Sequence, residues 1–249
     1  MTPSLHTRET REAAREVKFV IAPDVAARVL EWARDRMAPD PHGSGPAGDE
    51  YRPTTIYFDT AGFDVYGRRG SYGRSKYRVR RYGASPTIFL ERKMRTDEVL
   101  NKRRTSVPIE QLPALTSTNL DDEWEGLWFR KRLEARRLLP VCQVSYRRTA
   151  RVTMGPYGPI RLTLDQDLRA MVATEVAFHS GEGDRVLTER VILEMKFLAD
   201  MPSLFKQAVE EFALQPSACS KYRTSLDALG GPPRSLAHGS EKEEERWQA

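Results

Sequence analysis

The chain has 249 residues, with 40 Lys or Arg against 35 Asp or Glu and a formal net charge of +5. That is long enough for one large domain with a real core. Two separated cysteines and four scattered histidines, with no CxxC, argue against a zinc site. No apolar run approaches ~20 residues, so no membrane-spanning helix is expected. "MTPSLHTRETREAAREVKF" lacks the apolar segment of a signal peptide. Together with lone thiols, this makes a cytoplasmic location the expectation.

Residues 1–14 are polar and read as a flexible N-terminus. Arg15–Ile21 alternates as a strand, and "APDVAARVLEWARDRM" as a helix with Pro23 in its first turn. Ala38–Glu50 is a Pro/Gly loop, followed by a strand in "YRPTTIYFDT". Lys76–Tyr82, Thr87–Lys93 and Lys102–Pro108 are strand-like. A helical insertion starts at "VPIEQLPALT" and continues through "DDEWEGLWFRKRLEARRLL", acidic at its start and basic at its end. Its "RKRLEARR" reads first as a solvated face and second as a contact for an acidic membrane or partner. Strands resume at Val141–Thr153, Ile160–Leu168 and Val191–Leu198, the first two joined by a turn at 155–159. Helices follow in "DMPSLFKQAVEEFAL" and "SACSKYRTSLDAL", and residues 230–249 read as a disordered tail. The expected fold is α+β: an antiparallel barrel of about eight strands, flanked by helices, spanning 15–229.

Several strands carry apolar residues on one parity and charge on the other. "KYRVRRYG" aligns Lys76, Arg78 and Arg80, and "TIFLERKMR" aligns Phe89, Glu91 and Lys93. In "NKRRTSV" Lys102 shares a face with Arg104, and Arg103 lies opposite. Arg161, Thr163 and Asp165 share a face, as do Glu194 with Lys196, Tyr146 with Arg148, and Glu16 with Lys18. A half-solvated sheet explains any one of these strands. So many like charges on one surface favour a barrel with a charged bore holding a polyanion. A carboxylate in such a bore repels the ligand unless a divalent metal bridges them. Glu194, helped by Glu16 or Glu91, is the candidate metal ligand; the alternative for each is an ion-pair partner that holds a base in place. No GxxxxGK[ST] loop and no Ser/His/Asp or Cys/His set is evident.

The segments "EVKF", "IYFDT", "KYRVRRYG", "FLERK", "KRR", "SYRRTA", "RLTLD", "LEMK" and "CSKYRTSL", in this order, resemble VTC domains. These are the polyphosphate-polymerase domains of the vacuolar transporter chaperone complex and their bacterial relatives, within the CYTH-like triphosphate tunnel metalloenzymes. The resemblance implies an antiparallel tunnel, a divalent metal (manganese or magnesium) and transfer of the terminal phosphate of ATP to a polyphosphate chain. It implies basic tunnel positions at Lys18, Arg78, Arg80, Lys93, Arg148, Arg161, Lys196 and Lys221, with either Lys102 or Arg103 as another. It implies polar phosphate contacts at Tyr146 and Ser220, and metal ligation at Glu194. Two positions depart from relatives: Ala14 replaces the first Glu of Glu-x-Glu-x-Lys, and Ala218 stands where some carry Lys.

The expected partners are ATP, polyphosphate and, for any export at the inner face of a membrane, a separate membrane protein. A tripolyphosphatase with water as nucleophile remains open, as does a non-catalytic polyphosphate or inositol-phosphate binder. Nucleic acid is disfavoured, because a narrow basic bore lacks stacking platforms for bases.

Overall fold

A strand that is apolar on one face and charged on the other must bury the first and neutralise or hydrate the second. In the computed structural model, which describes residues 7–12, 14–95, 100–117 and 122–232, the strands meet this requirement by curling their charged faces inward. They are β1 (Thr7–Glu12), β2 (Ala14–Ile21), β3 (Ala38–Pro39), β4 (Glu50–Tyr51), β5 (Pro53–Asp59), β6 (Ser75–Tyr82), β7 (Thr87–Arg95), β8 (Leu100–Pro108), β9 (Leu139–Gly155), β10 (Gly158–Val172), β11 (Asp184–Val186) and β12 (Val191–Leu198). The helices are α1 (Pro23–Arg34), α2 (Leu127–Ala135), α3 (Ser203–Glu211) and α4 (Lys221–Ala228).

The antiparallel ladder runs β1-β8-β7-β6-β5-β9-β10-β12-β2, with β3 and β4 on β9 and β11 on β10. Among the described residues β1 and β2 do not pair with each other, so the closed barrel expected from the sequence is instead a curled open path. Its two ends are successive stretches of chain: β1 covers the edge of β8, and β2 covers the edge of β12. Side chains confirm the curl. Lys93 Nζ on β7 lies 3.6 Å from a Glu16 carboxylate oxygen on β2, although the two strands are not ladder neighbours.

Residues 7–12, expected to be flexible, thus form a strand. Backbone pairing to an otherwise open edge requires no apolar side chains, so the polar sequence concealed it. Residues 1–6 and the tail from 233 lie outside the described residues.

The apolar parities face outward beneath helices. Phe19 of β2, Leu162 and Leu164 of β10, and Leu193 and Met195 of β12 form one core with Val29, Trp32 and Ala33 of α1 and Phe205 and Ala208 of α3. Tyr77 and Val79 of β6 and Ile88 and Leu90 of β7 form a second core with Phe129 and Leu133 of α2. Helix α2 is shorter than its charge pattern suggests. It stops at Ala135, Arg137 turns left-handed at φ 49°, and Leu139 already begins β9. β10 runs past Leu168 to Val172 through a bulge between Gln166 and Arg169, where Asp167 takes φ 49°.

Helix α4 is pinned at one end of the curled sheet. The Tyr222 hydroxyl donates to Asp59 Oδ2 at 2.5 Å. Asp59, fully buried at the end of β5, also accepts from the backbone N–H groups of Thr60, Val65 and Tyr66. The residue before Tyr222 is Lys221, and this anchor carries its ammonium group into the bore.

Candidate functional site

The ladder register sets the charges in rows across the bore. On β6, β7 and β8 three lysines stand opposite one another, Lys76 to Lys93 to Lys102. The next row is Arg78, Glu91 and Arg104. Across the bore, β2, β12 and β10 align Lys18, Glu194 and Thr163, and then Glu16, Lys196 and Arg161.

Three carboxylate knots hold these cations. Glu91 receives Arg78 Nε at 2.6 Å, Arg104 Nε at 3.3 Å and Lys102 Nζ at 3.5 Å. Burial raises its pKa, but Arg78, Arg80, Lys102 and Arg104 outweigh that and hold it well below the carboxylate range. Glu194 meets Lys221 at 2.7 Å, Lys196 at 3.3 Å, and Lys18 and Arg148 at 3.5 Å. Its pKa is likewise driven far down, against burial, by Lys221, Lys196, Lys18 and Arg148. Glu16 contacts Lys18 at 3.1 Å and both Lys93 and Lys196 at 3.6 Å. Burial opposes its ionisation, yet Lys196, Lys18 and Lys93 hold it at about 2.

Asp165 links the Glu194 knot to β9. It accepts both arms of Arg148, at 2.6 and 2.7 Å, and Lys221 at 2.5 Å. The Tyr146 ring lies beneath Lys221 Nζ and Arg148, at 5.1 and 5.3 Å to its centroid. The buried hydroxyls of Tyr146 and Thr163 have no hydrogen-bond partner among the described residues. Arg80 Nε donates to Thr55 Oγ1 at 3.1 Å. Lys76 Nζ donates to Ser220 Oγ, the N-cap of α4, at 2.9 Å.

The structure therefore brings Lys18, Arg78, Arg80, Lys93, Lys102, Tyr146, Arg148, Lys196, Ser220 and Lys221 around one bore, with Glu16 and Glu194. Arg161 shares the face but turns to Asp40, at 2.9 Å, and to the Tyr51 hydroxyl. Arg103 is on the other side of β8, its guanidinium 4.2 Å from the centroid of the Trp128 ring at the start of α2. Of the two candidates in "KRR", only Lys102 enters the bore, because neighbouring strand residues point to opposite faces. Sequence reasoning assigned no role to Asp165 or Arg104, though both were visible on charged parities. A cavity of about 790 Å³ lies elsewhere, between the segment after β5 and the end of α2, with Phe58, Leu133 and Leu138 in its wall.

The bore cations outnumber Glu16, Glu91, Asp165 and Glu194. Side chains rather than a glycine-rich backbone loop supply the donors, and they converge from strands on opposite sides of the curl. Such a surface selects an extended, highly charged anion. The family model of the VTC domain matches residues 13–229.

The chain belongs to the VTC domain family.

Among solved structures, this VTC domain is similar to a candidate adenylate cyclase from Bacillus halodurans. The two share 15% identity and a TM-score of 0.55, over 85% of this chain and 95% of the other. It is also similar to a candidate adenylyl cyclase from Hippeastrum described as having a dominant triphosphatase activity, at 15% identity and a TM-score of 0.47, over 90% and 98% of the two chains. The likeness to the Bacillus halodurans structure is one of fold. No curated protein matches the chain. No helix among the described residues is long and apolar enough to cross a membrane.

Proposed function

We propose that this VTC domain is a metal-dependent polyphosphate polymerase, extending a polyphosphate chain with the terminal phosphate of ATP. The observation that carries this reading is the bore itself, with cations in excess of carboxylates on both walls. Phosphoryl transfer requires in-line positioning and charge neutralisation more than covalent help. A terminal oxygen of the chain attacks the γ-phosphorus of ATP. The bond from that phosphorus to the β–γ bridging oxygen breaks, and its electron pair leaves with ADP.

Arg78, Arg80, Lys93 and Lys102 on one wall, and Lys18, Arg148, Lys196 and Lys221 on the other, hold the non-bridging oxygens and fix the line of attack. Arg161 serves the end of the bore beside Asp40. Tyr146 and Ser220 supply neutral donors, the buried Tyr146 hydroxyl having no hydrogen-bond partner among the described residues.

Glu194 and Glu16 are the residues that would hold a divalent cation. Both touch Lys18 and Lys196 and offer the hard oxygen donors that manganese or magnesium prefers. The surrounding ammonium groups oppose a lone dication, so these carboxylates would take a metal only together with phosphate that engages the lysines. When bound, it would offset charge on the reacting phosphate oxygens. Among the described residues no group of three or more acidic, His or Cys side chains could hold a metal. The remaining donors would thus come from phosphate.

The same ion pairs support a second reading. Carboxylates already matched by lysines allow the bore to hold a polyanion with no metal, as a binder without turnover. Incubation with ATP and manganese, followed by gel and thin-layer separation, distinguishes these outcomes. Polyphosphate with ADP supports the polymerase, orthophosphate a hydrolase, and unchanged ATP with tight polyphosphate binding the binder. ATP and polyphosphate are the proposed partners, and a separate membrane protein would be needed for any export.

A further inference from the structure

Every lysine of the bore but one has a carboxylate within ion-pair distance. Lys18, Lys93, Lys102, Lys196 and Lys221 each touch Glu16, Glu91, Asp165 or Glu194. Lys76 has none among the described residues; its ammonium nitrogen reaches only Ser220 Oγ, at 2.9 Å. It also stands directly opposite Lys93 on the neighbouring strand, where like charges destabilise a ladder.

The charges that act most strongly on Lys76 are cationic: Lys18 from β2, Lys93 from β7, Arg78 from its own strand, and Arg68 from the segment between β5 and β6. The Glu16 and Glu194 carboxylates nearby are spent on Lys18, Lys93 and other bases. Burial, reinforced by those four cations, brings the Lys76 pKa down to about 7. Ser220 holds the side chain in place without supplying charge.

We propose that Lys76 anchors a phosphate of the bound chain at the Ser220 end of the bore, and that it takes up a proton as the chain enters. The inference rests on the reading of the bore as a phosphate-chain tunnel. A phosphate arriving beside Lys76 is the counter-charge that this site lacks. It need displace no carboxylate there, whereas at the other lysines it competes with one. Above neutral pH, binding therefore converts a largely neutral amine to an ammonium and draws one proton from solution.

The test is calorimetric titration with tripolyphosphate, in chelator, using two buffers of different ionisation enthalpy at pH 8 and a pH series from 6 to 9. The wild type is compared with Lys76→Arg, which is charged throughout, and Lys76→Met, with folding of both checked by circular dichroism. Subtracting the Lys76→Arg result cancels protons exchanged by the ligand itself. The wild type is expected to take up roughly one proton more than Lys76→Arg. Its affinity relative to that variant should fall by up to about tenfold per pH unit above neutrality. Lys76→Met is expected to bind more weakly than Lys76→Arg across the range. Equal proton counts in wild type and Lys76→Arg, or undiminished affinity in Lys76→Met, overturn the inference while the tunnel reading stands. No tripolyphosphate binding by the wild type overturns both.

Discussion

Lys221 and Glu194, one opening a C-terminal helix and the other on a central strand, meet at 2.7 Å inside the bore. The contact exists because Asp59 pins Tyr222, so that the adjacent Lys221 can point only inward. Helix α4 is thereby part of the tunnel wall, and the Glu194 carboxylate sits among four cations before any ligand arrives.

Glu194→Gln is therefore expected to act in two ways. It removes the charge matched to Lys221, Lys196, Lys18 and Arg148, so unfolding in urea should show a loss of about 3 kcal/mol. It also removes a hard metal donor, so turnover should lose its response to manganese while metal-free tripolyphosphate binding holds or strengthens. A normal metal response in the variant takes Glu194 out of the metal site.

Acid should weaken the fold through Glu16. Its carboxyl titrates near 2 in the folded protein against an ordinary 4.5. The stability it contributes is fully present above about 4.5 and is lost as pH falls toward 2. Melting curves between pH 5 and pH 2 should decline more steeply for the wild type than for Glu16→Gln, and parallel curves would contradict this.

Replacing both Arg78 and Arg80 with Ala should cost about 3–6 kcal/mol of polyanion binding if the two contacts add. Glu91 keeps Lys102 and Arg104 as partners, so the double variant is expected to fold. Calorimetry on the folded protein reads the loss, and unchanged affinity excludes this strand from the site.

The two sides of β8 provide a contrast. Lys102→Ala should weaken tripolyphosphate binding several-fold. Arg103→Ala should leave binding unchanged and lower stability by about 0.5–1 kcal/mol through its lost stacking on Trp128. Equal binding losses in the two variants would mean that the strand faces are misassigned.

Lys76→Met should raise the melting temperature of the free protein, and more so at pH 6 than at pH 9. The burden of holding an ammonium there grows as pH falls from the ordinary lysine value toward about 7. A uniform shift across pH would contradict the electrostatic cause.

The bore was legible in the sequence because a strand sorts its residues by parity. Lys76, Arg78 and Arg80 could be placed together, and Leu193 and Met195 opposite Glu194, without coordinates. Which strands face one another across the bore was not legible, since that depends on long-range register. The contact of Glu16 with Lys93 and the proximity of Lys76 to Ser220 follow only from the curl. Residues 7–12 were hidden because edge pairing uses the backbone. The Arg103 ambiguity was one of register, resolved by Trp128 on a helix whose docking the local pattern does not specify. Asp165 was visible on the right face, but the ion pairs that give it a role come from β9 and α4.

The most direct test of the central claim follows the γ-phosphate. ATP labelled at the γ position is incubated with the protein and manganese, alongside the Arg78→Ala/Arg80→Ala variant, and the products are separated by gel. The polymerase account predicts label in long polyphosphate chains, ADP formed in equal measure, and neither product from the double variant. Label recovered only as orthophosphate, or remaining wholly in ATP, would contradict it.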